Sequence, residues 1–244
     1  MAEILLVHGA WHGQWCWQDF AGRLSERGHR ARAARLRGHD AAPGRIWYRI
    51  RDYVEDLRRE VSQSERTPVL VGHSMGGLVV QKYLEHQPAP GAVLMASLPP
   101  GGTFPLCWRL LRKYPLTFLK ANLSLSLRPF ISKAEVVREL FFCRDRPLEV
   151  AQRLMTRLQN ESYAAFLDTI FFALPRPRQV RAPMLVLGAE HDGFLTVRDV
   201  ERTAEAYGTR AEIFTSMGHD MMLDTGWESV ADRVAAWASQ IDER

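Results

Sequence analysis

Gly72-His73-Ser74-Met75-Gly76 sets a serine between glycines placed two residues before and two after it. A short apolar run over residues 69–71 precedes this stretch, and an apolar helical pattern over residues 78–84 follows it. A serine hydroxyl is a weak nucleophile at neutral pH until a base takes its proton. Held on a sharp strand-to-helix turn, it projects clear of the sheet, and small flanking residues avoid a collision across the turn. Gly72 and Gly76 meet that need, and Gly77 leaves room for the helix to pack close. The helix N-terminus beneath Ser74 would offer amide donors and partial positive charge where an oxyanion forms. A glycine-rich turn with an incidental serine is the plainer alternative, and the strand before and helix after argue against it.

The base such a serine needs is a histidine held in one tautomer by a carboxylate. In a parallel α/β sheet, active groups gather beyond the carboxyl ends of the strands. Asp192 follows an apolar run at residues 184–187, and His219 follows one at residues 211–214. The order Ser74, Asp192, His219 is the chain order this architecture requires. Glu190, nearer its strand end, and Asp220, beside His219, are rival carboxylates. His191 is read as a loop residue and His73 as a packing residue. The oxyanion would take two backbone N–H groups, those of Met75 and of Ala10 in the loop after the first strand. His8 and His12 are expected to bond that loop's backbone; with no acidic third ligand nearby, no metal site is expected.

Positioning these groups falls to an alternation of strands and helices. Strand patterns cover residues 4–7, 29–36, 69–71, 92–96, 184–187 and 211–214, the second Arg-rich and suited to a sheet edge. Helical patterns cover 15–27, closed by Gly28, and 46–61, 196–207 and 227–241, with a polar loop at 37–44. The alternation implies a parallel sheet with helices on both faces. It stops at Pro99, and no strand pattern returns before about residue 180. That interval reads as helical: Ser132-Lys133-Ala134-Glu135 has the form of a capping box, Pro147 suits a first turn, and Asn160 could cap a helix ended by Pro175 and Pro177. Residues 1–98 and 180–244 thus form a core, and 99–179 a helical cap inserted after the fourth strand.

At 244 residues with 46% apolar content, the chain has enough material for one large α/β domain. Its net charge of +4 comes from arginines interleaved with acids, which argues against nucleic acid as a partner. Cys16, Cys107 and Cys143 are three widely spaced cysteines, which suit neither a disulfide framework nor a zinc site. The apolar run at residues 4–7 is too short for a signal peptide, and no stretch reaches membrane-spanning length. A reducing cytoplasmic setting, no membrane insertion, no cofactor, and a monomer or homodimer are the corresponding expectations.

With these residues assembled, nearly the whole chain resembles the α/β-hydrolase superfamily. The opening His8-Gly9-Ala10-Trp11-His12-Gly13-Gln14-Trp15-Cys16-Trp17 is similar to the plant methylesterase and hydroxynitrile-lyase branch. That resemblance implies a mainly parallel six-stranded sheet without the two leading antiparallel strands of larger members. Hydroxynitrile lyases carry a threonine where this chain has Gly9 and a lysine after the catalytic histidine, where it has Asp220. Both departures favour ester hydrolysis. The cap is rich in aromatic residues, and Trp108, Phe141, Phe142, Tyr163 and Phe166, with Trp11 of the core, are expected around a pocket above Ser74. Without a cationic clamp at the strand ends, a neutral, hydrophobic ester, acyl chain or lactone fits best. Thioesterase, lactonase, C–C hydrolase and lyase chemistry, or a receptor that retains the triad, stay open.

Overall fold

Short β-branched and leucine-rich runs make the frame, seen here in a computed structural model that describes residues 1–39 and 47–242. The strands are β1 (Glu3–Val7), β2 (Arg30–Ala33), β3 (Val69–His73), β4 (Ala92–Met95), β5 (Met184–Ala189) and β6 (Ala211–Phe214). They form one sheet in the order β2-β1-β3-β4-β5-β6, with every neighbouring pair parallel. Leu5 lies opposite Leu70 and Leu94 opposite Val186, so apolar residues meet across the ladder. The four central strands are buried apart from Glu3, whereas β2 and β6, which carry Arg30, Arg32 and Glu212, are half-exposed edges. Parallel sheets are stable when helices cover both faces, which is why their strands read as continuous apolar runs.

Alternate residues of each strand serve opposite faces. Ile4, Leu6, Val69, Val71 and Val93 pack against Phe20 and Leu24 of α1 (Gln18–Glu26) and Val230 and Val234 of α10 (Trp227–Asp242). Leu5, Val7, Leu70 and Leu94 pack under α2 (Ile50–Ser62), α3 (Met75–Leu84) and α9 (Val197–Ala206), with Tyr53, Leu57, Leu78 and Val200 as partners. The first helix is shorter than its pattern, since residues 14–17 form a separate 3-10 turn. Residues 40–44 of the expected polar loop, and the start of the next helix at Ile46, lie outside the described residues.

Between β4 and β5 the described chain is helical: α4 (Phe104–Lys113), α5 (Pro115–Ser124), α6 (Ala134–Phe141), α7 (Leu148–Met155) and α8 (Tyr163–Leu167), the last continued by a π-helical turn at Asp168–Phe172. Two expected caps take other forms. Lys133 occupies the N-cap of α6 without a side-chain bond, because the Ser132 hydroxyl donates to the Pro129 carbonyl at 2.9 Å. Ser162, not Asn160, caps α8 by accepting from the Ala165 N–H at 3.2 Å. Leu106, Phe130, Phe141 and Tyr163 belong to the same apolar cluster as one face of the sheet, so among the described residues these helices share their core with it.

Candidate active site

Ser74 joins β3 to α3 at φ 52° and ψ −120°, a left-handed conformation that costs a non-glycine residue free energy and must be held by its surroundings. Its N–H donates to the Met95 carbonyl at 3.1 Å, and its own carbonyl accepts from Gly77 at 3.0 Å and Leu98 at 3.1 Å. A Cβ on Gly72 would sit 2.6 Å from the Gly77 Cα, so strand and helix approach this closely only as glycines. Across the sheet, β1 neighbours β2 on one side and β3 on the other, the point where strand order reverses and where open α/β sheets form a crevice. The loop after β1 rests on the serine turn there: a Cβ on Gly9 would lie 2.8 Å from the Ser74 Cβ.

The loops after β5 and β6 bring in the other two groups. Ser74 Oγ donates to His219 Nε2 at 2.9 Å, and His219 Nδ1 donates to Asp192 Oδ2 at 2.7 Å. The Asp192 side chain is fully buried, and its other oxygen accepts from the N–H groups of Phe194 at 2.7 Å and Leu195 at 2.9 Å. The strand ends thus bring Ser74, Asp192 and His219 together, while the rival Glu190 accepts from Ser216 N–H and Asp220 turns toward His12. Burial pulls the His219 pKa down, but the charge and hydrogen bond of Asp192, with Asp220 beyond, raise it above the ordinary histidine value overall. Below this ring, His73 Nε2 donates to the His219 carbonyl at 2.9 Å. Burial, then the neighbouring His219, hold His73 well below its ordinary pKa, so it is neutral. Phe194 packs on the His219 ring at 4.7 Å between centroids and Phe141 at 6.2 Å.

Met75 is the first residue of α3, where a backbone N–H has no partner within the helix. Ala10 and Met75 both border the hollow into which Ser74 faces. His8 Nδ1 donates to the Gly9 carbonyl at 2.9 Å and His12 Nδ1 to the Ala10 carbonyl at 2.8 Å. The hollow holds about 670 Å³ free of protein atoms, part of it open to solvent. Trp11, Leu106, Leu110, Phe118, Phe130 and Phe166 give it an apolar wall.

Of the aromatic residues expected around this hollow, only Trp11 and Phe166 line it. Trp108 lies on the outer side of α4 and is 54% exposed. Phe141 is buried against Trp11, Phe194 and His219, and Phe142 packs under the Arg146 guanidinium. Tyr163 is buried with its hydroxyl donating to Asn122 Oδ1 at 2.7 Å. Helical spacing marks which residues between β4 and β5 are apolar but not which side of each helix faces the sheet. Glu161 was not anticipated. It is 2% exposed, borders the hollow, and accepts from Tyr53 Oη at 2.8 Å, His39 Nε2 at 2.9 Å, Ser162 N–H at 2.6 Å and Trp11 N–H at 3.4 Å. Its donors lie up to 150 residues away, and no local pattern announces it.

The sequence matches the alpha/beta hydrolase family over residues 4–236, and the chain belongs to that family. Among characterised relatives, it is 36% identical over 90 residues to the carbendazim hydrolyzing esterase of Nocardioides sp. (strain SG-4G), covering 33% of this chain and 34% of that protein. It is 36% identical over 106 residues to esterase PIR7B of Oryza sativa subsp. japonica, covering 40% of this chain and 39% of that one. These matches span about a third to two fifths of the relatives' length. An extracellular alpha/beta-hydrolase from a Paenibacillus species has the same fold, with a TM-score of 0.75 and 17% identity over 97% of this chain and 98% of that one.

Proposed function

We propose that the protein is a carboxylic ester hydrolase that works through an acyl-enzyme on Ser74. The observation that carries this reading is the chain of short contacts from Ser74 Oγ to His219 Nε2 and from His219 Nδ1 to Asp192, opening into an apolar hollow. Its relatives named as esterases support it.

Ser74 Oγ attacks the ester carbonyl carbon as His219 Nε2 takes its proton. Asp192 orients the ring and stabilises the imidazolium that forms. The Ala10 and Met75 N–H groups hold the oxyanion, a contribution typically worth on the order of 10²–10³ in rate for each donor. His219 then protonates the departing alkoxide, leaving the acyl group on Ser74. Water, losing a proton to the same nitrogen, attacks the acyl carbon; the acid leaves and Ser74 recovers its proton. Apolar walls select an apolar acyl or alkoxy group, and the lining residues include no Lys or Arg to pair with an anionic substrate. A small neutral hydrophobic ester is the substrate class. The core at 1–98 and 180–244 then carries the chemistry, and the cap at 99–179 the specificity.

The direct test is Ser74→Ala on a short-chain nitrophenyl ester. Turnover should fall on the order of 10³-fold or more, to what binding and the oxyanion donors supply alone. Turnover left unchanged would end the proposal.

A further inference from the structure

The cap presents to solvent a face that ester hydrolysis does not need. On α5, Leu116, Leu119 and Leu123 stand at i, i+3 and i+7, a single stripe, and are 73%, 53% and 77% exposed. Leu125 continues the exposed leucines past the end of the helix, and α4 adds Phe104 and Trp108, also exposed and one turn apart. The inner sides of the same two helices supply Leu106, Leu110 and Phe118 to the hollow above Ser74. The α4–α5 layer is therefore apolar on both sides, toward the cavity and toward water.

Charge singles out the same segment. No aspartate or glutamate occurs between Glu85 and Glu135, yet this interval holds Arg109, Arg112, Lys113, Lys120, Arg128 and Lys133, including three of the chain's four lysines. Its local +6 exceeds the net +4 of the whole chain, against the even interleaving expected from composition. Arg109 pairs with Asp199 at 2.7 Å and Lys113 with Glu139 at 2.6 Å. Arg112, Lys120, Arg128 and Lys133 are exposed, and among the described residues none makes an ion pair.

We propose that the α4–α5 face docks on an anionic lipid surface, its leucines and Trp108 entering the headgroup–acyl boundary and its free cations meeting lipid phosphates. A helix that joins exposed large apolar residues to unpaired Lys and Arg lies in the plane of a bilayer surface. Both helices are 10 residues long, too short to span, and among the described residues no helix is long and apolar enough to cross a membrane. A second copy of the chain is the other candidate occupant. A two-fold contact through this face would set the same cations against one another, which charge complementarity disfavours. Docking of this kind goes beyond the expectation of no membrane insertion, and it stands whether or not Ser74 turns over an ester.

The test is co-sedimentation of the full-length protein with vesicles of phosphatidylcholine alone and of phosphatidylcholine mixed with phosphatidylglycerol. Binding should be confined largely to the mixed vesicles and weaken as salt rises. Neutralising Arg112 or Lys120, the unpaired cations of α4 and α5, to Gln should weaken it roughly fivefold per cation, and L116S/L123S by more than tenfold. Both sets replace exposed side chains, so unchanged Tm values report an intact fold and allow the loss to be assigned to the surface. Binding to neither vesicle, equal binding to both, or binding indifferent to these substitutions would overturn the proposal. So would a wild-type dimer that L116S/L123S dissolves, since the face would then belong to a second copy.

Discussion

His219 concentrates opposing effects in one ring. Burial favours its neutral form, while the Asp192 carboxylate 2.7 Å from Nδ1 favours the charged one and prevails. As a base the ring must be unprotonated, so kcat/KM should fall as pH drops through the raised pKa. The acid limb of the pH profile is therefore expected above about 6.5, the ordinary histidine value. Asp192→Asn removes the carboxylate charge and leaves burial in place, so the limb should move to lower pH. The maximal rate should fall on the order of 10⁴-fold because the ring loses its tautomer and orientation. An acid limb at the same pH in both proteins would show that Asp192 does not act on His219.

At the scale of elements, the serine turn depends on how closely β3 and α3 approach. Gly72→Ala would place a methyl 2.6 Å from the Gly77 Cα and 2.8 Å from its backbone nitrogen, and neither is the tip of a flexible side chain that could swing away. Overpacking of this kind costs about 1–3 kcal/mol. In a chain of this size Tm should drop by roughly 2–4 °C per kcal/mol, with activity falling alongside as Ser74 is displaced. A Tm equal to wild type would mean that helix and strand do not depend on these glycines. The same steric requirement made this region legible in the sequence. A turn that tolerates only glycine leaves a local signature at Gly72 and Gly76, and the buried strands leave continuous apolar runs. Asp192 and His219 were legible because a parallel sheet returns every strand end to one edge. The caps of α6 and α8 were not, because Ser132 finds the Pro129 carbonyl and Asn160 gives way to Ser162, choices settled by geometry rather than residue type.

For the molecule as a whole, the contacts that tie the helices between β4 and β5 to the rest of the chain include buried polar ones, and these escaped the sequence for that reason. Asp168 accepts from Arg49 Nε at 2.8 Å and from the Ile50 N–H at 3.0 Å. Glu161 gathers Tyr53, His39 and the Trp11 N–H, while the Trp11 carbonyl accepts from Gln159 N–H at 2.7 Å. Trp11 follows Ala10 and sits at φ 63°, so Gln159 and Glu161 hold, from both sides, a strained residue adjoining the proposed oxyanion donor. Both ring nitrogens of His39 face oxygens, Arg37 O at 3.1 Å and Glu161 Oε2 at 2.9 Å, which an imidazolium satisfies. Burial opposes that charge, and Glu161 outweighs it, so His39 is raised above its ordinary pKa. A histidine raised on folding stabilises the native state fully below its unfolded pKa of about 6.5, and that contribution is lost as pH rises through the folded pKa. Glu161→Gln deprives His39 of its counter-charge and turns an amide N–H₂ toward two of the four donors, since each carboxylate oxygen accepts from two. Breaking a buried pair costs about 3–5 kcal/mol. The Tm deficit against wild type should therefore be largest below about pH 6.5 and shrink as pH rises through the folded His39 value, with kcat reduced as Trp11 loosens. A deficit of equal size across that range would assign Glu161 a packing role alone, and an unchanged kcat would leave the loop at Trp11 independent of Glu161.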